Sequence, residues 1–426
     1  MDNGIEKFSK IIVILWIIIY VFSSPIQYVF YKINLESLII YLKLFIPLIL
    51  IILGAIFSLK SYKICKKFLG IILLIIIGLI ISFINKLPFI QIAYGLKTFL
   101  PFFAFYYYIK YISKNINGFK TIFRVLIPIV TFGLILDKYL TFPWEGISYE
   151  VGNFSYQISR EWDTFGIARL SGFQRASYDS GTIICLLLVA NSIYNTMCRK
   201  KNTVLDNFLC FIGIYGIYLT TFKTAYLFIL IFVLYSLFVH IHRLVIKNQK
   251  IIVECWIKVY VFIAFLYSII PPIISQFGVN INSINENNFL RAFLFKSYTI
   301  RINTTWKEAI NLLDLAKFHE VLGRGIGGIG TAQQYAEPFL YNAGDNFFIY
   351  LFVTLGLISM LLIIGLIKVI IAVKLNSAGY IMFCILFIIF CFGATSDLID
   401  SPLLMGVLGL LLALYYVNLE KKDNIE

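Results

Sequence analysis

A glycine-rich segment that begins at Gly323, GRGIGGIG, contains the pattern G-x-G-x-x-G twice in overlapping frames. In soluble enzymes this pattern holds the phosphates of a dinucleotide when a strand precedes it and a helix follows it. Here a helical pattern precedes the glycines and the polar stretch TAQQYAEP follows them, so a nucleotide cofactor is not predicted. Glycines nevertheless let backbone N–H groups approach an anion, and Arg324 adds a guanidinium among them. A flexible hinge is the alternative interpretation.

Basic side chains recur in the polar segments of the chain. They are Arg160, Arg169, Arg175, Lys223, Arg291, Arg301 and Arg324. Guanidinium groups can bind phosphate in bidentate fashion, and fixed cations can neutralise a departing diphosphate without a metal ion. The chain has 3 histidines, and its 7 cysteines show no paired spacing. We therefore predict neither a metal site nor disulfides, and the arginines point to a lipid-linked phosphate substrate.

Asp345 and Asn346 open an apolar run in the stretch AGDNFFIYLF. Both residue types stabilise the N-terminus of a helix, and that role is compatible with contact to a substrate. Further acidic residues lie in segments expected on the same side: Glu145, Glu150, Glu161, Asp163, Asp179, Glu337, Asp397 and Asp400. Lys43 and Lys97 lie near the ends of apolar runs, where we expect them only to extend their amines towards water.

The elements that must position these residues are membrane-spanning helices. Of the 426 residues 60% are hydrophobic and 14% are charged, and the mean hydropathy is +0.88, which excludes an ordinary soluble domain. Apolar runs long enough to cross a hydrocarbon core of about 30 Å recur along the chain, and they lack the alternation of barrel strands. We predict an all-α integral membrane protein with about 12 spans. The expected spans are 8–30, 37–59, 68–84, 89–112, 121–140, 179–197, 207–222, 224–242, 251–270, 346–367, 379–393 and 402–418.

The connections between these spans give the orientation. Lys and Arg concentrate on one side, in KSYKICKK, KYISKNINGFK, CRKKN, HRLVIKNQK, KVIIAVK and the terminal EKKDNIE. By the positive-inside rule, both termini lie in the cytoplasm. The net charge of +14 reflects this topology and attraction to anionic membrane lipid, so a nucleic-acid partner is not predicted.

Two long outer loops divide the chain. We expect an N-terminal five-helix region (1–140), a first loop (141–178), central helices (179–270), a second loop (271–345) and C-terminal helices (346–426). In the first loop, Trp144 and Trp162 are the expected interfacial anchors. In the second, Thr305 to Glu308 reads as a capping box that starts a short amphipathic helix before the glycines.

Four segments resemble the bacterial O-antigen polymerase and ligase superfamily, which are integral-membrane glycosyltransferases. The segments are RLSGFQRASYDSG, LTTFKTAYLFIL, RINTTWKEAINLLDLAKFHEVLGRGIGGIG and AGDNFFIYLFVTLGLISMLLIIG. They cover roughly residues 160–370, and their order and topology carry the likeness more than any one match. Lys223 lies where many members have an arginine, and Asp345 lies where ligases usually have a histidine. The second departure favours a polymerase.

The resemblance implies transfer of a growing glycan from undecaprenyl diphosphate to another lipid-linked repeat unit, on the outer face of the cytoplasmic (inner) membrane. It implies catalytic roles for Arg169, Lys223, Arg301 and Asp345. The three cations would hold the diphosphate, and Asp345 would contact or deprotonate the acceptor hydroxyl. Arg175, Arg324 and Asn346 would bind substrate. No cofactor is implied, and a flippase and a chain-length regulator are expected partners.

Two other functions remain open. A ligase of the same superfamily would transfer finished glycan to a lipid or wall acceptor. A polysaccharide flippase or other transporter is compatible with the span count, although the two halves show no repeat and the polar residues concentrate in outer loops.

Overall fold

The computed structural model describes residues 2–61, 66–113, 118–151, 154–164, 166–197, 203–245, 250–277, 289–372 and 377–423. These residues are mostly helical, as predicted. The α-helices are α1 (Asp2–Val21), α2 (Ser23–Lys32), α3 (Glu36–Ser61), α4 (Lys66–Ile84), α5 (Phe89–Lys97), α6 (Leu100–Tyr107), α7 (Gly118–Tyr139), α8 (Ser177–Met197), α9 (Val204–Thr220), α10 (Lys223–Val245), α11 (Lys250–Gln276), α12 (Phe289–Ile300), α13 (Trp306–Asn311), α14 (His319–Leu322), α15 (Phe347–Leu355), α16 (Ser359–Ala372), α17 (Ser377–Gly393) and α18 (Pro402–Asp423).

The remaining regular structure is short. Two antiparallel hairpins, β1 (Ser148–Val151) with β2 (Phe154–Gln157) and β3 (Asp163–Thr164) with β4 (Ile167–Ala168), lie in the first predicted loop. The expectation of an all-α chain is thereby corrected. π-helical turns cover Tyr108–Ile112 and Arg301–Thr305, and 3₁₀ turns cover Leu312–Leu315, Gly330–Tyr335, Pro338–Leu340 and Gly356–Ile358.

Several helices are long and apolar enough to cross a membrane. Within the described residues four segments meet that requirement: Tyr41–Ser58, Phe119–Tyr139, Lys258–Gln276 and Phe347–Ile371. A fifth is added if α1 and α2 count as one span, and shorter apolar helices are Gly70–Ile84, Val204–Thr220, Lys223–Leu234, Gly379–Gly393 and Pro402–Val417. The described residues thus form a mostly helical structure with four or five helices suited to crossing a membrane, and the count of twelve spans stays a prediction.

Two predicted spans are interrupted. The run 8–30 bends by 88° between α1 and α2. Ser23, Ser24 and Gln27 are buried in α2, so this helix directs polar groups into the protein. The run 89–112 breaks into α5, α6 and a π-helical turn, because residues 98–99 leave the α-helical ladder.

The helix predicted in the second loop begins earlier than its sequence indicates. The Thr305 side chain forms no capping hydrogen bond, so the predicted capping box is absent. The reason is that α12 and a π-helical turn precede Thr305 and continue into α13. The sequence predicts an apolar stripe of Trp306, Ala309, Ile310, Leu313 and Ala316; Ile310 is half-buried and the other four are buried. This helix therefore packs on the protein through the expected face.

The chain forms two compact units, each assembled from separated segments. The first unit contains residues 1–57, 104–240 and 416–426, and the second contains residues 58–103 and 241–415. In the first unit α7, α8 and α9 pack on one another. In the second, α11 packs against α17 and α13 against α15.

The carboxylate of Asp206 joins the three packed helices of the first unit. Arg124 from α7 donates to it at 2.7 Å, and Asn191 and Asn195 from α8 donate at 3.0 and 3.1 Å. Asp206 also completes a capping box with Thr203 at the start of α9. Arg124 and Asp206 are therefore linked by a direct ion pair as well as by the shared helix packing.

The Lys- and Arg-rich connections used to predict orientation lie partly outside the described residues, which omit 62–65, 114–117, 198–202, 246–249, 373–376 and 424–426. Cys65 and Cys198 lie there too. Arg291 belongs to α12, but its side chain is likewise outside the described part of the chain.

Candidate functional site

Each compact unit contains two of the four segments that carry the family resemblance. RLSGFQRASYDSG and LTTFKTAYLFIL lie in the first unit, and the other two segments lie in the second. Arg169, Arg175 and Lys223 therefore belong to the first unit. Arg301, Arg324, Asp345 and Asn346 belong to the second.

The segment that holds Arg169 is fixed by Asp137 at the end of α7. One carboxylate oxygen of Asp137 accepts hydrogen bonds from the backbone N–H groups of Ser171 and Gly172, both at 2.7 Å. Gly172 has φ +64°, and a Cβ there would lie 3.0 Å from the backbone of Gly133. A glycine is required because α7 passes so close. The backbone N–H of Arg169 donates to Trp162 at 2.9 Å, which fixes the residue at the end of β4.

Arg175 is positioned by the bend between α1 and α2. The Ser23 hydroxyl accepts from the Arg175 N–H at 3.1 Å, and the neighbouring Gln174 amide donates to the Val21 carbonyl at 2.6 Å. The Arg175 guanidinium donates through Nε to the Gln157 carbonyl at 3.1 Å and lies over the Tyr156 ring at 5.6 Å. The bend that interrupts the first predicted span thus positions a predicted site residue.

Lys223 is the first residue of α10, directly after a tight turn. Thr221 in that turn has φ +51°, a left-handed conformation that is uncommon for a β-branched residue. A Cβ on Gly181 of α8 would lie 3.0 Å from the Phe222 ring, so the two motif segments of this unit pack closely. A lysine at this position faces the positive end of the helix dipole, which costs about 0.3–1 kcal/mol, so helix stability does not account for it.

Arg301 and Asp345 form an ion pair in the second unit. Arg301 Nε donates to Asp345 Oδ2 at 3.0 Å, and the two side chains are 22% and 36% exposed. Arg301 starts the π-helical turn after α12, and such turns concentrate at functional sites. Asp345 has φ +45° and so is held in the left-handed region. Among the described residues no other protein group binds either side chain, so both retain hydrogen-bonding capacity towards a ligand.

Two tyrosine rings lie in the same unit as this ion pair. The rings of Tyr267 and Tyr298 stack at 6.3 Å, and both phenols lie within electrostatic reach of Arg301. Tyr298 also meets the buried Trp306 edge to face at 5.6 Å. Aromatic faces beside a charged pair suit a ligand with both C–H and hydroxyl groups.

Asn346 is a structural residue. Its Oδ1 accepts from the N–H groups of Phe348 and Ile349 at 2.9 and 3.1 Å, so it caps α15 as the sequence predicts. Its Nδ2 donates to the carbonyls of Ser268 and Ala394. The side chain is 1% exposed and its four hydrogen-bonding positions are used, so it positions Asp345 and is closed to a substrate.

The glycine-rich segment is packed inside the second unit. Gly325, Gly327 and Gly330 have φ between +83° and +88°. A Cβ at Gly325 would lie 2.4 Å from Ser82 N, and one at Gly327 would lie 2.6 Å from Gln91 O. The glycines therefore allow this segment to pack directly against α4 and α5. This close packing favours a structural role for the glycines over a flexible hinge.

The N–H groups of that segment are largely used within the protein. Arg324 and Gly325 donate to Val353 and Thr354, and Ile326 donates to Gly78. The N–H groups of Gly323, Gly328 and Gly330 donate to protein carbonyls, and that of Thr331 donates to Asp400. These groups cannot also bind a phosphate, so the geometry does not support the expected anion cradle.

Arg324 is buried among its own partners. The guanidinium donates twice to Glu337 at 2.9 Å and once to the Gly328 carbonyl at 2.8 Å, and the residue is 3% exposed. Gln91 joins the network by donating to Glu337 at 3.0 Å and to Gly327 at 2.8 Å. Arg324 therefore has a structural role, in which it links the glycine-rich segment to Glu337.

Asp397 and Asp400, to which the sequence assigns no role, lie in the turn between α17 and α18. The Asp400 N–H donates to Asp397 at 2.9 Å. Burial, reinforced by the adjacent Asp400, holds the pKa of Asp397 well above its ordinary value, and Asp345 acts in the same direction. Burial also raises the pKa of Asp400. The sequence feature that could have pointed to this pair of carboxylates is the spacing D-x-x-D between two apolar runs.

Comparison of the chain with models of protein families, with curated proteins and with solved structures gave no match. The likeness to O-antigen polymerases therefore stays a prediction. Among the described residues no group of three or more His, Cys, Asp and Glu side chains could hold a metal ion.

Proposed function

We propose that this protein is a glycosyltransferase that polymerises oligosaccharide repeat units carried on undecaprenyl diphosphate. The observation that carries the proposal is the Arg301–Asp345 pair, joined at 3.0 Å and partly exposed, with the stacked rings of Tyr267 and Tyr298 within electrostatic reach of Arg301. The pair offers a carboxylate for an acceptor hydroxyl and a guanidinium for a phosphate oxygen. The ring faces suit the C–H surface of a sugar.

In the proposed reaction, a hydroxyl of the acceptor repeat unit attacks the anomeric carbon of the lipid-linked donor. Asp345 accepts the hydroxyl proton as the new glycosidic bond forms. The bond between the anomeric carbon and the diphosphate breaks, and the diphosphate leaves with its lipid. Arg301 stabilises the charge that develops on that leaving group.

The cations of the first unit stay predictions from the family resemblance. Arg169, Arg175 and Lys223 are proposed to bind diphosphate, and each is to be tested by its own substitution. Arg324 and Asn346 are not proposed as substrate ligands, because the protein uses their hydrogen-bonding groups.

The proposed location is the outer face of the cytoplasmic membrane, which the chain is proposed to cross about twelve times. Both termini are proposed to lie in the cytoplasm, and a flippase and a chain-length regulator to act with the protein. The product would be O-antigen, capsule or exopolysaccharide.

The class of reaction is tested by incubating the purified full-length protein with a lipid-linked repeat unit and separating the glycans by gel electrophoresis. A ladder of products spaced by one repeat unit supports the polymerase. One shifted product with an added acceptor identifies a ligase, and unchanged glycan that crosses a vesicle membrane identifies a transporter. Either of the last two results overturns the proposal.

A further inference from the structure

The 3₁₀ turn Pro338–Leu340 and the following Tyr341 form an exposed apolar surface in the second unit, and we refer to residues 338–341 as the apolar turn. Phe339 is fully exposed, and no other large hydrophobic side chain among the described residues is exposed to the same degree. Leu340 and Tyr341 are each 41% exposed. No charged residue occurs from 338 to 344. A contiguous exposed apolar patch of this kind indicates contact with an apolar partner.

A buried glutamine fixes the conformation of the apolar turn. Gln333 Nε2 donates to the Leu340 carbonyl at 3.1 Å, and Gln333 Oε1 accepts from the Asn342 N–H at 3.1 Å. The Asn342 side chain in turn donates to the Thr305 carbonyl at 3.1 Å. Phe339 is therefore exposed on a backbone that the protein holds in place.

The backbone N–H groups of the apolar turn are bonded within the protein at three of its positions or absent. The Leu340 N–H donates to the Glu337 carbonyl at 3.0 Å, and the Tyr341 N–H donates to the Pro338 carbonyl at 3.3 Å. Pro338 has no N–H group. Non-helical backbone enters lipid only where its polar groups have partners in the protein, because lipid offers none. At these three positions the apolar turn can leave water without losing a hydrogen bond.

Two contacts place the segment before the apolar turn against α5. Gln91 donates to Glu337 at 3.0 Å, and the rings of Tyr94 and Tyr335 stack with their centres 3.4 Å apart. The exposed residues of α5 are all apolar: Phe89, Ile90 and Ala93. Since α5 begins the predicted apolar run 89–112, the segment that leads into the apolar turn lies beside a helix whose exposed surface suits lipid.

We infer that the apolar turn inserts Phe339 into the lipid of the membrane and anchors the loop that ends at Asp345. Aromatic side chains are enriched where a protein meets the boundary between lipid and water. Asp345 follows Phe339 by six residues, at most about 22 Å of extended chain, so the anchor keeps the Arg301–Asp345 pair near the membrane surface. The inference rests on the membrane character of the chain and does not depend on the reaction proposed for that pair or on the side of the membrane that the loop occupies.

Photochemical cross-linking tests the insertion. The full-length protein is purified with p-benzoylphenylalanine in place of Phe339, reconstituted in nanodiscs of phosphatidylethanolamine and phosphatidylglycerol, irradiated and weighed by intact-protein mass spectrometry. The lipid-facing control carries the same amino acid at Ile263, which is exposed within the apolar segment Lys258–Gln276. The water-facing control carries it at Glu308, an exposed charged residue of α13.

We expect phospholipid adducts at Phe339 in a yield close to that at Ile263 and about tenfold or more above that at Glu308, because burial of an aromatic side chain favours lipid over water by at least that factor. An adduct between two copies of the chain would identify the apolar turn as a contact between protomers. An absence of phospholipid adducts would show that the turn lies in water. Either of these two results overturns the inference.

A second label position separates insertion from an effect of the label itself. With p-benzoylphenylalanine at Tyr341, Phe339→Glu should lower the yield of phospholipid adducts about tenfold, because a charged side chain is costly in lipid, whereas Phe339→Leu should preserve the yield. Asn311→Glu is the matched control, since it adds the same charge at an exposed polar position of the same unit. Equal yields for Phe339→Glu and Phe339→Leu, in proteins with the unfolding midpoint of the wild type, would overturn the inference.

Discussion

At the residue scale, Arg324 shows how a cation suited to phosphate can serve the fold instead. Its guanidinium meets both oxygens of Glu337 and the Gly328 carbonyl, and it is almost fully buried. Its residue type and its position among glycines favour anion binding. The competing partner, Glu337, lies thirteen residues further along the chain, where no sequence pattern links it to Arg324.

Arg324→Gln should destabilise the protein. Removing one partner of a buried ion pair leaves the other charge uncompensated, which costs about 3–5 kcal/mol. The measurement is the apparent thermal unfolding midpoint of the purified protein in detergent. Arg160→Gln, which removes an arginine without a described ion pair, should change the midpoint little. An unchanged midpoint for Arg324→Gln would contradict the structural role.

Asn346 is a residue whose role the sequence predicts in part. The stretch GDNFF places a cap before an apolar run, and Asn346 does cap α15. Its contacts with Ser268 and Ala394 lie 78 and 48 residues away in sequence, so they depend on helix packing and could not be predicted. Because of these contacts the Asn346 amide cannot bind a substrate. Of the two neighbours Asp345 and Asn346, only Asp345 is partly exposed.

At the scale of elements, the glycine-rich segment is shaped by its neighbours α4 and α5. The Ser82 hydroxyl donates to the Ile326 carbonyl at 3.0 Å, and Gln91 donates to Gly327. Motif reasoning could exclude a nucleotide, because the flanking elements were wrong for it. It could not show that the glycines serve close packing, since Ser82 and Gln91 are more than 230 residues away.

Gly325→Ala should lower the unfolding midpoint strongly. The residue has φ +88°, and the new Cβ would lie 2.4 Å from the Ser82 backbone nitrogen. The comparison is Gly70→Ala in α4, where a Cβ meets nothing within 4 Å and alanine favours the helix by about 0.5–1 kcal/mol. Thermal unfolding of both variants checks the prediction, and similar midpoints would show that the segment is not tightly packed.

The turn between α17 and α18 should make stability depend on pH. The pKa values of Asp397 and Asp400 are raised by burial, so both carboxyls bind protons more tightly in the folded protein than in the unfolded chain. Their contribution is fully present below the ordinary pKa of 3.8 and is lost as pH rises through the raised values. Acidification from about pH 8 to about pH 5 should therefore raise the unfolding midpoint.

The matched variant for that measurement is Asp397→Asn with Asp400→Asn, which removes both titrating groups. The difference in midpoint between wild type and variant should depend on pH, with the variant gaining less from acidification. A difference that stays constant over this range would show that the two carboxyls do not have raised pKa values.

At the scale of the whole molecule, each compact unit is built from segments that are separated in the chain. Composition and apolar runs predict a helical membrane protein, and the described residues confirm that coarse statement. Hydropathy could not reveal the 88° bend between α1 and α2, where Ser23 and Ser24 are buried, because a bend leaves the apolar run of the sequence unchanged. The division into units was also beyond sequence patterns, since it depends on packing between distant segments.

Reporter fusions test the proposed orientation. A fluorescent protein after Glu426 should be bright and alkaline phosphatase at the same point inactive, because the positive-inside rule places the C-terminus in the cytoplasm. Alkaline phosphatase inserted in the loop 141–178 should be active. The opposite pattern at either point would contradict the assigned topology.

In the proposed reaction, Asp345 and Arg301 carry the glycosyl transfer. The most direct measurement is the rate of lipid diphosphate release from a lipid-linked repeat unit by purified wild type, Asp345→Asn and the exposed-residue control Asp314→Asn. We predict a fall of about 100-fold or more for Asp345→Asn, the range expected for loss of a general base, with the wild-type rate for Asp314→Asn and an unchanged unfolding midpoint for both variants. A folded Asp345→Asn protein that releases lipid diphosphate at the wild-type rate would contradict it.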